Sequence, residues 1–286
     1  MPINPEAVGT VSDPQVSSWT SKDSLLYAIG VGAGQSPTDP RDLPFVTENS
    51  NGVKQRALPT QAVTLVDFTP AFVNIGSFNP AMLVHGEQKV VIHREVPAEG
   101  SVSSTCEVSA IWDKGKGAVV EATSRAVDVD TGEPVFDLVM SAFIRGEGGW
   151  GGDRGPSGTP NEIPDREADQ VLSETTRPEQ ALLYRLSGDR NPLHSDPTFA
   201  ALAGFDRPIL HGLCTYGFAG RALLHALCDS DPSRLASIEG RFSSPVFPGE
   251  SLHVDLWNEP DGALFRVRGD DGRVVFDSGR IVVRTA

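Results

Sequence analysis

The sequence predicts an α+β fold in which two tandem antiparallel sheets are each wrapped around a helix. Segments with β-type alternation occur in two sets, one before residue 146 and one from residue 238 onwards. The stretch that follows the first set, residues 146–164, is rich in Gly and Pro and almost without aliphatic residues, which is typical of a linker. We therefore predict an N-terminal domain at 1–148, a linker at 149–165 and a C-terminal domain at 166–286.

Short sequence echoes in the same order in both halves indicate an internal duplication. The paired segments are LLY at 25–27 with LLY at 182–184, LVHG at 83–86 with ILHG at 209–212, and PAEGS at 97–101 with PGES at 248–251. Two copies of a helix wrapped by an antiparallel sheet would explain the repeated order.

The first half begins with a Pro- and Ser-dotted stretch, residues 1–20, that we predict to be an arm. Residues 23–30 are predicted to form a helical turn or two, and residues 58–83, interrupted by prolines, a broken helix. Predicted strands follow at 89–96, 103–112, 118–129 and 135–144. The glycine series Gly30, Gly32 and Gly34 follows no strand and opens no helix, so we exclude a dinucleotide site there.

In the second half, the segment GDRNPLH places Asp189, Asn191 and His194 in one irregular turn. Gly188 permits backbone angles that other residues avoid, and Pro192 fixes its own φ, so the turn is stiff. Such a turn alone is usually only a turn, because Asp and Asn cap their own backbone. Its combination with the next helix makes it a candidate for acid–base chemistry.

That helix is predicted over residues 213–227 and is apolar or small nearly all round, as expected of a buried helix. Its N-terminus at Gly212 offers unpaired backbone N–H groups and the positive end of the helix dipole. A shorter helix is predicted between the two, opened by Asp196 and Pro197 and running through Ala203. Strands are predicted again at 238–242, 252–257, 264–267 and 274–283.

The segments GDRNPLHSDP and ILHGLCTYG together resemble the hydratase 2 motif of the MaoC-like (R)-specific enoyl-CoA hydratases. A more diffuse similarity to the two-domain members covers nearly the whole chain. The resemblance implies a double hot-dog fold and hydration of trans-2-enoyl-CoA to (3R)-3-hydroxyacyl-CoA. The matching position in the first half reads VGAGQS at 31–36, without carboxylate or imidazole. The N-terminal domain is therefore predicted to be degenerate and to cover the acyl tail.

The resemblance also assigns roles to the motif residues. Asp189 and His194 would hold and activate one water, Asn191 would help to hold it, and the backbone N–H of Gly212 would stabilise the thioester oxyanion. No metal is needed, and no separate cofactor, because coenzyme A is carried by the substrate. An acyl-CoA substrate and a homodimer are the expected partners.

Gly188, Arg190, Arg207 and His211 are the predicted substrate-binding residues. Coenzyme A is an anion and the chain has a net charge of −14, so local cations must receive it. Arg190 and Arg207, together with Arg185 and Arg221, crowd the motif, and we expect one or two of them to meet phosphate. His211 is expected mainly to fix its turn, and His85 of the first half to be structural.

Composition excludes other classes of function. A net charge of −14 argues against nucleic acid and anionic membranes as partners, and no apolar run is long enough to span a bilayer. Three cysteines without zinc spacing and termini without a secretory or peroxisomal signal indicate a cytoplasmic protein. Two alternatives remain open, a hot-dog acyl-CoA thioesterase and a non-catalytic acyl-CoA binding module.

Overall fold

The computed structural model describes residues 3–158 and 161–285. Its main feature is one ten-stranded antiparallel sheet, in the order β1-β3-β4-β5-β2-β7-β10-β9-β8-β6. The first half contributes β1 (Gln15–Trp19), β2 (Leu83–Ile92), β3 (Gly100–Asp113), β4 (Gly117–Asp128) and β5 (Pro134–Arg145). The second half contributes β6 (Gln170–Thr175), β7 (Leu235–Phe242), β8 (Ser251–Glu259), β9 (Gly262–Arg268) and β10 (Val274–Val283).

The strand order is the same in both halves, read outwards from the centre. Each half runs second, fifth, fourth, third and first strand, and the two sheets are joined where β2 pairs with β7. The predicted α+β fold with two wrapped antiparallel sheets is confirmed. The structure adds that the two sheets are hydrogen-bonded into one.

The helices differ strongly between the halves. They are α1 (Ser21–Gly30), α2 (Leu43–Val46), α3 (Thr69–Phe72), α4 (Gln180–Tyr184), α5 (Pro197–Leu202) and α6 (Gly212–Leu227), with 3-10 turns at Pro5–Ala7, Pro59–Thr64, Pro80–Met82, Arg185–Ser187, Pro192–His194 and Pro232–Arg234. Helix α6 is buried over most of its surface, as predicted from its apolar sequence. The predicted broken helix is also confirmed, because only short turns occupy that part of the first half.

The main apolar core surrounds α6 and takes side chains from both halves. A second, separate core lies in the first half under the broken helix. It is lined largely by small and medium side chains, among them Ala118, Ala122 and Ala142. The two cores give the halves different interiors, although their sheets match.

Two of the three sequence echoes correspond in space. The LLY segments lie on α1 and α4, where the rings of Tyr27 and Tyr184 are 6.1 Å apart. The PAEGS and PGES turns lead into β3 and β8.

The third pairing is wrong. LVHG lies at the start of β2, because it continues the alternating run that pairs with β5 and β7, whereas ILHG leads into α6. The predicted N-terminal arm also contains a strand, since β1 pairs with β3. No helix in the described part of the chain has the length and apolar character needed to cross a bilayer.

The glycine series at Gly30, Gly32 and Gly34, where we exclude a dinucleotide site, contributes to packing through Gly32. Gly32 has φ +88°, and a Cβ atom built on it would lie 2.3 Å from the ring of Phe218 on α6. A side chain at residue 32 would therefore strain the backbone and push against the central helix.

We expect Gly32→Ala to lower the free energy of unfolding by about 1–3 kcal/mol, the usual cost of overpacking a core. Urea denaturation of both proteins measures it. Gly52→Ala is the matched control, because Gly52 has φ +75° but nothing within 4 Å of its Cβ position. Equal losses in both variants would show that the backbone angle alone, and not the contact with Phe218, requires glycine.

Candidate active site

The turn that carries the candidate acid–base residues is held by its own side chains. The backbone N–H of Asn191 donates to Asp189 Oδ1 at 3.0 Å, and the N–H of Leu193 donates to Asn191 Oδ1 at 3.0 Å. Gly188 has φ +143°, in the region that favours glycine. The Asp189 carboxylate is therefore exposed on a turn whose backbone is fixed on both sides.

Two histidines stack beside this turn. The ring centroids of His194 and His211 are 3.7 Å apart, with 26° between the ring planes. His194 Nδ1 lies 2.9 Å from the carbonyl oxygen of Ile209, and His211 Nε2 lies 3.2 Å from the carbonyl oxygen of Asp189. Each contact ties the turn to the segment before α6, so His211 fixes the turn as expected.

The two carbonyl acceptors determine which ring nitrogens carry protons. A carbonyl oxygen only accepts, so His194 must donate from Nδ1 and His211 from Nε2. Neutral rings then keep lone pairs on His194 Nε2 and His211 Nδ1, and the latter is buried with no hydrogen-bond partner among the described residues. Burial lowers the pKa of His194 below the ordinary 6.5 and that of His211 to about 4. Both rings are therefore neutral at neutral pH.

The three titratable side chains converge. One ligand atom each from Asp189, His194 and His211 lies within 4.8 Å of the others. An ionised carboxylate and the Nε2 lone pair of His194 can accept the two hydrogens of one water and so orient it as a nucleophile.

Among the described residues, the same three side chains are the group of donors close enough for a metal ion. That the reaction needs no metal ion remains a prediction.

Gly212 begins α6, and its backbone N–H has no acceptor among the described residues. An added Cβ atom would lie 3.1 Å from the ring of Phe242, so this ring forms a wall beside the Gly212 backbone. The arrangement presents a free donor at the positive end of the longest helix, which suits a developing oxyanion.

His85 lies where the two halves of the chain meet. Its ring lies edge-on to Phe242, with centroids 5.0 Å apart, and its Nε2 lies 3.1 Å from the carbonyl oxygen of Glu87. The pairing register of β2 with β5 shifts between His85 and Glu87. Burial lowers the pKa of His85 to about 4. The sequence alone does not show the contact with Phe242, because only the pairing of β2 with β7 brings His85 to the second half.

The arginines near the motif divide into two kinds. Arg190 is exposed on the turn, and the guanidinium of Arg207 lies 4.9 Å from the ring of Phe247. Arg221 is only 5 % exposed and forms ion pairs with Asp42 and Glu174. Its inclusion among the phosphate-binding candidates was wrong, because its position on the buried face of α6 directs it to the other half of the chain.

Comparison with known proteins agrees with this architecture. Residues 17–146 match the model of the MFE-2 hydratase 2 N-terminal domain, and residues 160–275 match the MaoC like domain. The chain is 49% identical to 3-hydroxyacyl-thioester dehydratase Y of Mycobacterium tuberculosis, with 98% of each chain covered. It is 42% identical to the probable enoyl-CoA hydratase 2 of Dictyostelium discoideum, with 92% of this chain and 90% of that protein covered.

A solved structure shares both fold and sequence with the chain. The crystal structure of a MaoC-like dehydratase from Phytophthora capsici superposes with a TM-score of 0.87 at 36% identity, covering 99% of this chain and 98% of that one. The chain therefore belongs to the MaoC-like hydratase family, as a member in which a hydratase 2 N-terminal domain precedes a MaoC-like domain.

Proposed function

We propose that the protein catalyses the reversible hydration of trans-2-enoyl-CoA to (3R)-3-hydroxyacyl-CoA in fatty acyl metabolism. The observation that carries the proposal is the convergence of Asp189 and His194 with His211, the residue that immediately precedes Gly212 and its free N–H at the start of α6. The names of the full-length relatives, an enoyl-CoA hydratase 2 and a 3-hydroxyacyl-thioester dehydratase, support the same reaction.

The reaction needs one water, a base that takes a proton from it, a group that returns a proton to C2, and a donor that stabilises the negative charge on the thioester oxygen. Water donates one hydrogen bond to Asp189 and another to Nε2 of His194. Its oxygen attacks C3 as one of these two groups takes a proton from it. The electron pair of the C2–C3 double bond moves to the thioester oxygen, where the Gly212 N–H stabilises the negative charge. C2 then receives a proton from the protonated group, so the elements of one water are added and no proton is gained or lost.

The remaining motif residues support this step. Asn191 caps the turn through Leu193 and so sets the position of His194. Gly188 supplies the backbone angle that lets Asp189 face the histidines. His211 stacks on His194 and is buried, and its Nδ1 has no hydrogen-bond partner among the described residues.

The N-terminal domain is the proposed cover of the acyl tail. The separate core of this domain consists largely of small and medium side chains under a segment that forms only short turns. A short-turn segment presents fewer bulky side chains than a continuous helix, which would leave space for an apolar chain. A cytoplasmic location and a homodimer remain predictions, which cell fractionation and light scattering test.

Crotonyl-CoA separates hydration from the thioesterase alternative. Hydration removes the enoyl absorbance without releasing thiol, whereas thioester hydrolysis releases one thiol per molecule consumed. Chiral analysis of the product is expected to give the (3R) isomer. Release of thiol in step with substrate loss would contradict the proposal, and binding without turnover would favour the non-catalytic module.

The reaction should tolerate mildly acid pH. His194 must be neutral for its Nε2 to accept a proton, and burial favours the neutral form, so its pKa lies below 6.5. We expect kcat/KM for crotonyl-CoA to keep its neutral-pH value as the pH falls to 6.5 and to decline only below it. A pH profile of kcat/KM at constant ionic strength measures this. A half-maximal loss at or above pH 6.5 would contradict the buried, neutral His194.

A further inference from the structure

Four buried rings form a column that ends at the candidate acid–base turn. The ring centroids of Tyr27 and Tyr184 are 6.1 Å apart, those of Tyr184 and His211 are 5.0 Å apart, and those of His211 and His194 are 3.7 Å apart. All four side chains are buried. Aromatic pairs at such separations attract each other beyond the effect of burial alone. The column therefore connects α1 of the first half with the proposed acid–base residue His194.

The first ring of this column is fixed by the packing of α1. The hydroxyl oxygen of Tyr27 lies 2.8 Å from the position that a Cβ atom of Gly217 on α6 would occupy. The carbonyl oxygen of Gly30, at the end of α1, accepts from Gln180 Nε2 at 2.6 Å and from Cys214 Sγ at 3.4 Å. Because these contacts join α1 to both α4 and α6, they hold Tyr27 in place.

The second ring contributes by its shape. The hydroxyl of Tyr184 is buried and has no hydrogen-bond partner among the described residues. Burial raises the pKa of Tyr184 well above its ordinary value, so the hydroxyl stays protonated at neutral pH. A hydroxyl that neither pairs nor ionises leaves the ring as the part of Tyr184 that acts on its neighbours.

The ring plane of His194 depends on this stack. One hydrogen bond, from Nδ1 to the carbonyl oxygen of Ile209, fixes one nitrogen but not the plane of the ring. The stacked ring of His211 supplies the second constraint, and that ring in turn packs against Tyr184. Protein interiors are packed closely enough that a displaced side chain shifts its neighbours. The direction of the Nε2 lone pair of His194 is therefore set through the column.

We propose that Tyr27 is a positioning residue for the reaction, because through Tyr184 and His211 it holds the ring of His194 in the plane that the activated water requires. The inference rests on the proposed hydratase function. It gives the N-terminal half a part in the chemistry beyond covering the acyl tail, although residues 31–36 carry no acid–base group.

Removing the first ring tests the proposal. We expect Tyr27→Leu to lower kcat for crotonyl-CoA by about threefold to tenfold, the equivalent of one aromatic pair. KM should change by less than about twofold, because no substrate contact is lost. Tyr27→Phe keeps the ring and should restore kcat. Tyr184→Leu removes the ring next to His211 and should lower kcat at least as much, which provides a second test if Tyr27→Leu folds poorly.

The pH profile separates positioning from a general loss of packing. Burial lowers the pKa of His194 below 6.5. A loosened stack admits water, so this pKa should rise towards 6.5 and the acid limb of kcat/KM should move to higher pH. The other ionisable groups whose charges reach the histidine pair are Asp189 and Arg185, with His85 beyond Asp189, and the variants leave them unaltered.

Phe136→Leu is the matched control, because Phe136 is a fully buried ring in the same core and lies outside the column. It should lower the free energy of unfolding while kcat and the pH profile stay unchanged. If Tyr27→Leu also changes stability alone, Tyr27 is a packing residue and the proposal is wrong. Equal losses of kcat in Tyr27→Phe and Tyr27→Leu would assign the effect to the hydroxyl and would overturn the proposal as well.

Nuclear magnetic resonance tests the column without turnover. The ring signals of His194, identified by their loss in His194→Gln, report its pKa directly. If the unmodified protein does not hydrate crotonyl-CoA, the hydratase proposal is wrong, and a raised pKa of His194 in Tyr27→Leu still supports the column. If the protein hydrates crotonyl-CoA but Tyr27→Leu leaves both this pKa and kcat unchanged, only the role of Tyr27 is wrong.

Discussion

Asp189→Asn and His194→Gln are each expected to lower kcat for crotonyl-CoA hydration by about 10²- to 10⁴-fold, the usual contribution of a general acid or base. Asparagine keeps the oxygen that accepts from the Asn191 N–H, and glutamine can still donate to the carbonyl oxygen of Ile209. Both variants should therefore fold while losing the group that exchanges protons with water. Steady-state kinetics, with circular dichroism as the measure of folding, check the result.

Two controls match these changes in charge and size. Asp206→Asn alters another exposed carboxylate in the same half, and His253→Gln alters a histidine on β8 that bonds Ser173. Both should keep nearly full activity. Near-normal turnover in a folded Asp189 or His194 variant would remove that residue from the mechanism.

The acid–base turn was predictable because its determinants are contiguous. Asp189, Asn191 and His194 lie within six residues, and their positions follow from local capping and from one glycine with a positive φ. The long buried helix was predictable for a similar reason, since its apolar character continues around every face. Such features depend on residues close in sequence, where turn chemistry and helical periodicity act directly.

The residues that surround the turn could not be predicted from the sequence, because they come from distant parts of the chain. His85 reaches Phe242 only because β2 pairs with β7, residues about 150 positions apart. The matching HG dipeptides at 85–86 and 211–212 even favoured the wrong equivalence, because one lies in a strand and the other opens a helix.

The sequence does not predict, for a different reason, that the Arg221 side chain is buried. An arginine on an otherwise apolar helix can face solvent or a buried carboxylate. Only the packing of α6 against the loop that carries Asp42 decides between them, and that contact joins the two halves of the chain.

Gly212→Pro is expected to lower kcat by about 10²- to 10³-fold, the usual loss when one oxyanion donor is removed. Gly212 is the first residue of α6, where proline is well tolerated and where its N–H makes no bond within the helix. The preceding residue, His211, has φ −60° and ψ 135°, an extended conformation compatible with a following proline. The variant should fold, and Asp189 and His194 remain in place.

The control for this change is Gly212→Ala, and the structure shows why both variants are needed. Any Cβ atom at residue 212 would lie 3.1 Å from the ring of Phe242, so alanine and proline crowd that ring alike. Proline also replaces the N–H by a ring carbon, and the ratio of the two kcat values therefore removes the shared Cβ contact and reports the loss of the donor. If the folded proline variant turns over as fast as the alanine variant, the oxyanion donor is not Gly212, and a donor elsewhere at the N-terminus of α6 must stabilise the thioester oxygen.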